Sequence, residues 1–235
     1  MPSKFWFSHF IAPFTTISIL LIFIWSLGWD EQFANFWFYD SQLKQWIGKG
    51  AGEWWSQELL HKGGQRLVRA TVVLTVTVWC LTFVNTRLRP LRFQAAYVLI
   101  AMLASIALVG VLKAISNVDC PWDLAAFGGS RPHIGIFQDR PDSLPRAQCF
   151  PGAHSSSGFA FMSFYFAMFH SAGRLKYFAL LLGISIGFVF AFGQESRGAH
   201  FLSHDLTGAL LVWTTILLLF VQSHKLRLRH GINTQ

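Results

Sequence analysis

Charge is scarce in this chain. Of its 235 residues only 13% are Asp, Glu, Lys or Arg, while 53% are hydrophobic. A soluble globular domain carries about 25% charged residues. The composition therefore excludes that class and points to an integral membrane protein. Compositional breaks, internal repeats and low-complexity tracts are also missing, so residues 1–235 read as one domain. Cysteine is sparse, with 3 in all. Cys80 falls inside an apolar run and reads as a small buried side chain. Cys120 and Cys149 share a long polar loop, where an oxidising compartment makes a disulfide between them the expectation.

What is abundant is apolar sequence in span-sized runs. A membrane crossing needs about 20 such residues, and runs at roughly 10–29, 67–86, 93–112, 155–172, 177–193 and 206–222 qualify, the fourth and fifth being shortest. The first is too long for a signal-peptide core, and Trp25 and Trp29 follow where a small-residue cleavage site would stand, so it reads as a span. Lys4, the Arg87–Arg89–Arg92 cluster, Arg174 with Lys176, and Lys225, Arg227 and Arg229 all fall on one side of a six-span topology. That side, with both termini, is cytoplasmic by the positive-inside rule. All 11 acidic residues fall on the other side. The net charge of +8 is then a topological bias held near anionic lipid, not a nucleic-acid surface. The expected fold is an all-α integral membrane bundle of six transmembrane helices with long periplasmic loops, in a bacterial inner membrane.

The outer loops carry the polar sequence. Residues 30–66 mix aromatics with charge and read as interfacial amphipathic segments, with Trp37, Trp46, Trp54 and Trp55 as headgroup-level anchors. Residues 113–154 contain Pro121, Pro132, Pro141, Pro145 and Pro151, too many for one helix. A connection this long is usually functional or disordered.

Three helix ends on the outer side gather ionisable residues, which at membrane depth mark function by default. Lys113 closes the third span, "FPGAHSSSGF" (150–159) opens the fourth, and "GQESRGAHFLSHDLTG" (193–208) opens the last. Lys113 and Arg197 are cations suited to phosphate oxygens. The turn Gly152–Ala153 before Ser155 is a capped helix start whose free N–H groups suit an anion. His154 in that turn can donate a proton. His200 and His204, spaced i, i+4, share a face if both are helical. Together these suit metal-free phosphoryl transfer, in which positioning and charge stabilisation supply most of the rate. Two other readings use the same cluster. One is a metalloenzyme with His154, His200, His204 and Asp205 as ligands. The other is a non-catalytic protein that binds or moves an anionic lipid, although no broken mid-span helix or repeated half supports transport. His9, His61, His133, His170, His224 and His230 lie outside these clusters and receive no role.

The blocks "KAISNVDCP" (113–121), "PGAH" (151–154) and "QESRGAHFLSHD" (194–205), in that order, resemble the phosphatidic acid phosphatase type 2 superfamily of membrane lipid phosphatases. Its pattern is K-x6-R-P, P-S-G-H and S-R-x5-H-x3-D on a six-helix core. The resemblance places the catalytic region within 113–208 and implies a cofactor-free hydrolase acting on a lipid phosphate or pyrophosphate, or a transferase that passes the phosphoryl group to another lipid. It implies that His200 attacks phosphorus to give a phosphohistidine and that His154 protonates the leaving oxygen. Lys113 would bind phosphate with backbone groups at Gly152 and Ala153. Three positions depart from the pattern. Cys120 stands where the first block has arginine, so Arg131 or Arg140 is expected to supply that charge. Gln194 stands in place of the arginine of the third block, with Arg197 expected to substitute. His204 stands where the orienting aspartate belongs, so His204 is expected to orient His200, backed by Asp205. On an ideal helix Asp205 would point about 140° away from His200.

Overall fold

The computed structural model describes residues 1–229; His230, given no role above, lies outside them. Among the described residues, five helices are long and apolar enough to cross a membrane: Ser3–Leu27, Gly50–Val84, Thr86–Asp123, Leu175–Glu195 and Leu202–Arg227. The protein is a multi-pass membrane protein. The expected span at 155–172 is instead a shorter helical stretch. Ala153–Phe159 and Ser163–Ala167 are joined by a tight turn of 3₁₀ helix at Ala160–Met162.

The first helix, α1 (Ser3–Leu27), shows how local chemistry shapes the bundle. Pro13 has no N–H for the carbonyl four residues back, and its ring crowds that turn. The backbone widens to a π turn at Phe7–Ile11, and the His9 carbonyl accepts a hydrogen bond from Trp213 Nε1 at 2.6 Å. The helix ends at Gly28, in the left-handed conformation that glycine adopts without strain (φ 63°). A short helix, α2 (Trp29–Trp37), and a two-strand hairpin pairing Tyr39 with Trp46 follow. Residues Trp54–Gly63 form a π-helical stretch that runs straight into α3 (Gly64–Val84). Residues 54–63 of the segment expected to lie along the interface are therefore the start of the second long helix.

Then come α4 (Arg92–Ser116), α5 (Ala153–Phe159), α6 (Ser163–Ala167), α7 (Leu175–Glu195) and α8 (Leu202–Arg229). The α5–α6 stretch lies at the centre. Phe159, Met162 and Phe166 are buried against Met102 of α4, Phe190 of α7 and Ile216 of α8. Lipid is as apolar as these side chains, so close packing rather than water exclusion holds such helices together. Gly183 and Gly187 of α7 permit the approach. A Cβ at Gly187 would lie 2.1 Å from the Phe159 ring, and one at Gly183 2.5 Å from the Met162 amide nitrogen.

Between the 30–66 and 113–154 segments a second cluster joins Ala34, Phe38, Tyr39, Trp46, Leu124 and Phe127 with Phe201. Trp46 is 3% exposed, so it is a core residue of this cap and not the headgroup anchor expected; Trp37 and Trp54 are exposed. Cys120 and Cys149 form a disulfide with 5.1 Å between Cα atoms. On a chain-entropy model, closing a loop of this size stabilises by about 3–4 kcal/mol.

Candidate active site

The site is built where α5, α7 and α8 meet beneath the cap. The chain leaves α7 at Glu195, turns through Ser196–Ala199, and enters α8 only at Leu202. Asp30 of α2 defines that start. Its carboxylate accepts from the Ser203 N–H (2.9 Å) and the Ser203 hydroxyl (2.6 Å), satisfying an otherwise orphan donor of the first turn. Burial pushes the Asp30 carboxyl pKa up, and the two Ser203 bonds oppose that shift.

His200 consequently sits before the helix, not on it. Its Nδ1 lies 2.7 Å from Asp205 Oδ1, with both residues buried. The expected orienting role of His204 is corrected by this geometry. The helical spacing that set His200 and His204 on one face does not apply to a residue outside the helix. The His204 ring is 6.3 Å from that of His200, makes no hydrogen bond to it, and packs edge-on against Phe150 and Phe201. Asp205 orients His200 instead. The same Asp205 oxygen accepts from Ser155 Oγ at 2.5 Å, which ties α8 to α5.

Gly152 lies within this junction. A Cβ there would fall 2.1 Å from Asp205 Oδ1 and 2.9 Å from His200 Nδ1, so only glycine fits. Its N–H, expected to bind phosphate, already donates to the His204 carbonyl at 2.9 Å. Gly152 thus serves by its lack of a side chain, and Ala153 follows as the first residue of α5. His154, two residues on, is nearly buried. Its ring stacks on Phe190 at 4.5 Å, and its Nε2 donates to the Leu60 carbonyl at 3.3 Å. His154 and His200 both interact electrostatically with Asp205. The blocks containing 151–154 and 194–205 therefore meet in one place.

Lys113, in the last turn of α4, is mostly buried and interacts electrostatically with Asp205 and His204 across the site. Its ammonium has no hydrogen-bond or ion-pair partner among the described residues. Arg197 is half-buried, 3.5 Å from Gln194 Oε1, and interacts with Glu53 and His61. Burial pulls its guanidinium pKa below the usual arginine value, with Glu53 opposing. Arg131 and Arg140 do not join this group. Both are paired with the buried Asp119, Arg131 at 2.5 Å and Arg140 through both of its terminal nitrogens. They brace the 113–154 loop, where Asp119 engages both guanidinium groups in place of the expected contact with the His200 site.

Two residues of the site were not legible in the sequence. His61 projects from the π-helical stretch to within 4.6 Å of the His154 ring. Glu195, at the end of α7, is buried and interacts with Asp205. Glu195 falls at an unspecified position of the third block, and His61, a lone histidine in an aromatic-rich loop, carries no signal of its own. Among the described residues no group of three or more His, Cys, Asp or Glu side chains is arranged to hold a metal ion. An apolar cavity of about 550 Å³ opens between α1, α7 and α8, lined by Ile17, Phe159, Leu180, Phe188, Leu206 and Trp213 among others. Its lining includes Leu206, the residue that follows Asp205 in the chain.

The family model of the PAP2 superfamily matches residues 94–228, more than half of the chain. The chain belongs to that superfamily, whose members are phosphatases. No curated protein and no solved structure matches it.

Proposed function

We propose that this PAP2-superfamily protein hydrolyses a lipid-linked phosphate or pyrophosphate at the periplasmic face of a bacterial inner membrane, through a phosphohistidine at His200. The observation that carries the reading is the 2.7 Å bond between His200 Nδ1 and Asp205. A carboxylate only accepts, so the proton resides on Nδ1 and the Nε2 lone pair is free. That nitrogen attacks phosphorus as the bond to the leaving oxygen breaks, and His154 gives that oxygen its proton. Water then attacks the phosphohistidine, His154 takes a proton back, and phosphate leaves with His200 restored. Lys113 and Arg197 offset the charge that develops on the phosphoryl oxygens, the largest electrostatic contribution in such transfers.

In this reading the chain is a single domain, and the short stretch Ala153–Ala167 completes a sixth passage. Both termini then lie in the cytoplasm. The apolar cavity beside Leu206 takes the lipid tail while the headgroup meets the outer interface. The test is phosphate release from dioleoyl phosphatidic acid in mixed micelles by wild type, His200→Ala and His154→Ala. Loss of turnover by about 10²-fold or more in both folded variants supports the reading. Equal rates in all three overturn it.

A further inference from the structure

Leu60–Gly64 of the first loop segment packs against His154 and holds it there. The His154 ring has Phe190 stacked on it at 4.5 Å and 15°, and the His61 ring 4.6 Å away, tilted by 55°. A side chain at position 64 would break this arrangement, because a Cβ on Gly64 falls 2.7 Å from Phe190 Cζ and 3.1 Å from His154 Cε1.

His61 is itself held from the end of α7. Gln194 Nε2 donates to its Nδ1 at 2.8 Å, so the neutral ring carries its own proton on Nε2, which lies beside the Gln65 side-chain amide at 3.2 Å. The ring is therefore fixed by Gln194. The charged and titratable groups facing the two histidines are Arg197, Lys62 and His200 around His61, and His61, His200 and Asp205 around His154.

The Leu60 carbonyl decides the tautomer of His154. A carbonyl only accepts, so the 3.3 Å bond requires the proton on Nε2 in both the neutral and the cationic ring. Nδ1 is then the one nitrogen of His154 that can gain and lose a proton. We propose that His61 is a positioning residue for His154: packed against the ring, it keeps Nε2 on the Leu60 carbonyl and leaves Nδ1 for proton transfer. The proposal rests on the reading of His154 as proton donor.

Two measurements on the full-length protein in micelles separate the proposal from that reading. Nitrogen-15 histidine spectra report the tautomer without any substrate. The expected result is a neutral His154 protonated on Nε2 in wild type, with that preference lost in His61→Ala and regained in His61→Asn, whose amide can still meet Gln194. Turnover is then compared for dioleoyl phosphatidic acid, whose leaving oxygen needs a proton, and para-nitrophenyl phosphate, whose leaving group does not. His61→Ala should lower kcat for the first by roughly tenfold, part of the range a general acid contributes. KM should change little, turnover of the second should fall much less, and His61→Ala should add little to His154→Ala. An unchanged His154 tautomer in His61→Ala overturns the proposal, as does a loss equal for both substrates. Full turnover in His154→Ala overturns the proton-donor reading alone, and the spectra still decide whether His61 sets the ring.

Discussion

His200 Nδ1 and Asp205 Oδ1 lie 2.7 Å apart across five residues of chain, a separation that an ideal helix would splay by about 140°. They meet because α8 begins at Leu202, after His200. Replacing Asp205 by asparagine keeps the shape but lets an amide N–H face Nδ1, which favours the wrong tautomer. In the serine-protease triad the equivalent change lowers kcat by about 10⁴, and a loss of about 10³–10⁴ in phosphate release is expected here. His204→Ala should cost far less turnover, because that ring makes no hydrogen bond to His200, whose Nδ1 is held by Asp205. Rates from the two variants, each checked for a monodisperse elution profile, distinguish the roles; a larger loss in His204→Ala would reverse them.

Asp30 ties the start of α8 to α2, and its carboxyl is harder to ionise than a free one because it is buried. A carboxyl whose folded pKa is raised binds more protons in the native state. Its stabilising contribution is therefore complete below the ordinary value of 3.8 and is lost as pH rises through the folded value. Wild type should lose thermal stability with rising pH across that window relative to Asp30→Asn, which retains partners for Ser203 without titrating. Melting curves across the acidic range test this. Parallel pH profiles in the two proteins would contradict it.

Asp119 holds Arg131 and Arg140 together under the outer loop. Removing one member of such a buried group leaves the others without their counter-charge, at a cost of about 3–5 kcal/mol. Asp119→Ala should lower the thermal midpoint more than Arg131→Ala, whose side chain is the more exposed of the two arginines. Thermal shift in detergent measures both. Arg140→Ala should leave the catalytic constants of the folded protein near wild type, since Arg140 braces the loop and does not meet phosphate.

Gly187 lets α7 approach the ring of Phe159. A methyl group placed 2.1 Å from that ring must push it aside, and overpacking of this kind costs about 1–3 kcal/mol. Gly187→Ala should destabilise by that amount, and Gly187→Leu by more, through displacement of the helix that carries His154. Paired Gly187→Ala and Phe159→Leu substitutions should recover part of the loss, readable in the same melting assay.

The main outlines of the fold were legible because bilayer thickness is a strong constraint on composition. Any segment that crosses must be apolar for about 20 residues, and five of the six expected runs match long apolar helices. The sixth, at 155–172, departs because α5–α6 is surrounded by other helices. Packed on all sides by protein, it can be short, interrupted and serine-rich, and Ser155, Ser156 and Ser157 donate to the carbonyls of Gly152 and His154 at its start. The spacing Gly183-x3-Gly187 was a readable mark of close helix packing that hydropathy alone passes over. Trp46 was misplaced for the opposite reason. Aromatics between spans resemble interfacial anchors, but this one finds Tyr39 and Phe127 to pack against.

From sequence alone come the membrane class, the family resemblance, and the choice of His154, His200, Lys113 and Arg197 as candidate polar residues. Each depends on residue type and spacing along the chain, which no folding event changes. Tertiary structure alone decides that Asp205 and not His204 meets His200, that Arg131 and Arg140 serve Asp119, and that His61 stands beside His154. Those outcomes depend on where a helix starts and which distant segments touch. A hydrogen bond of 2.7 Å is set by such placements to within a fraction of a turn, and a one-dimensional pattern resolves position only to about that much.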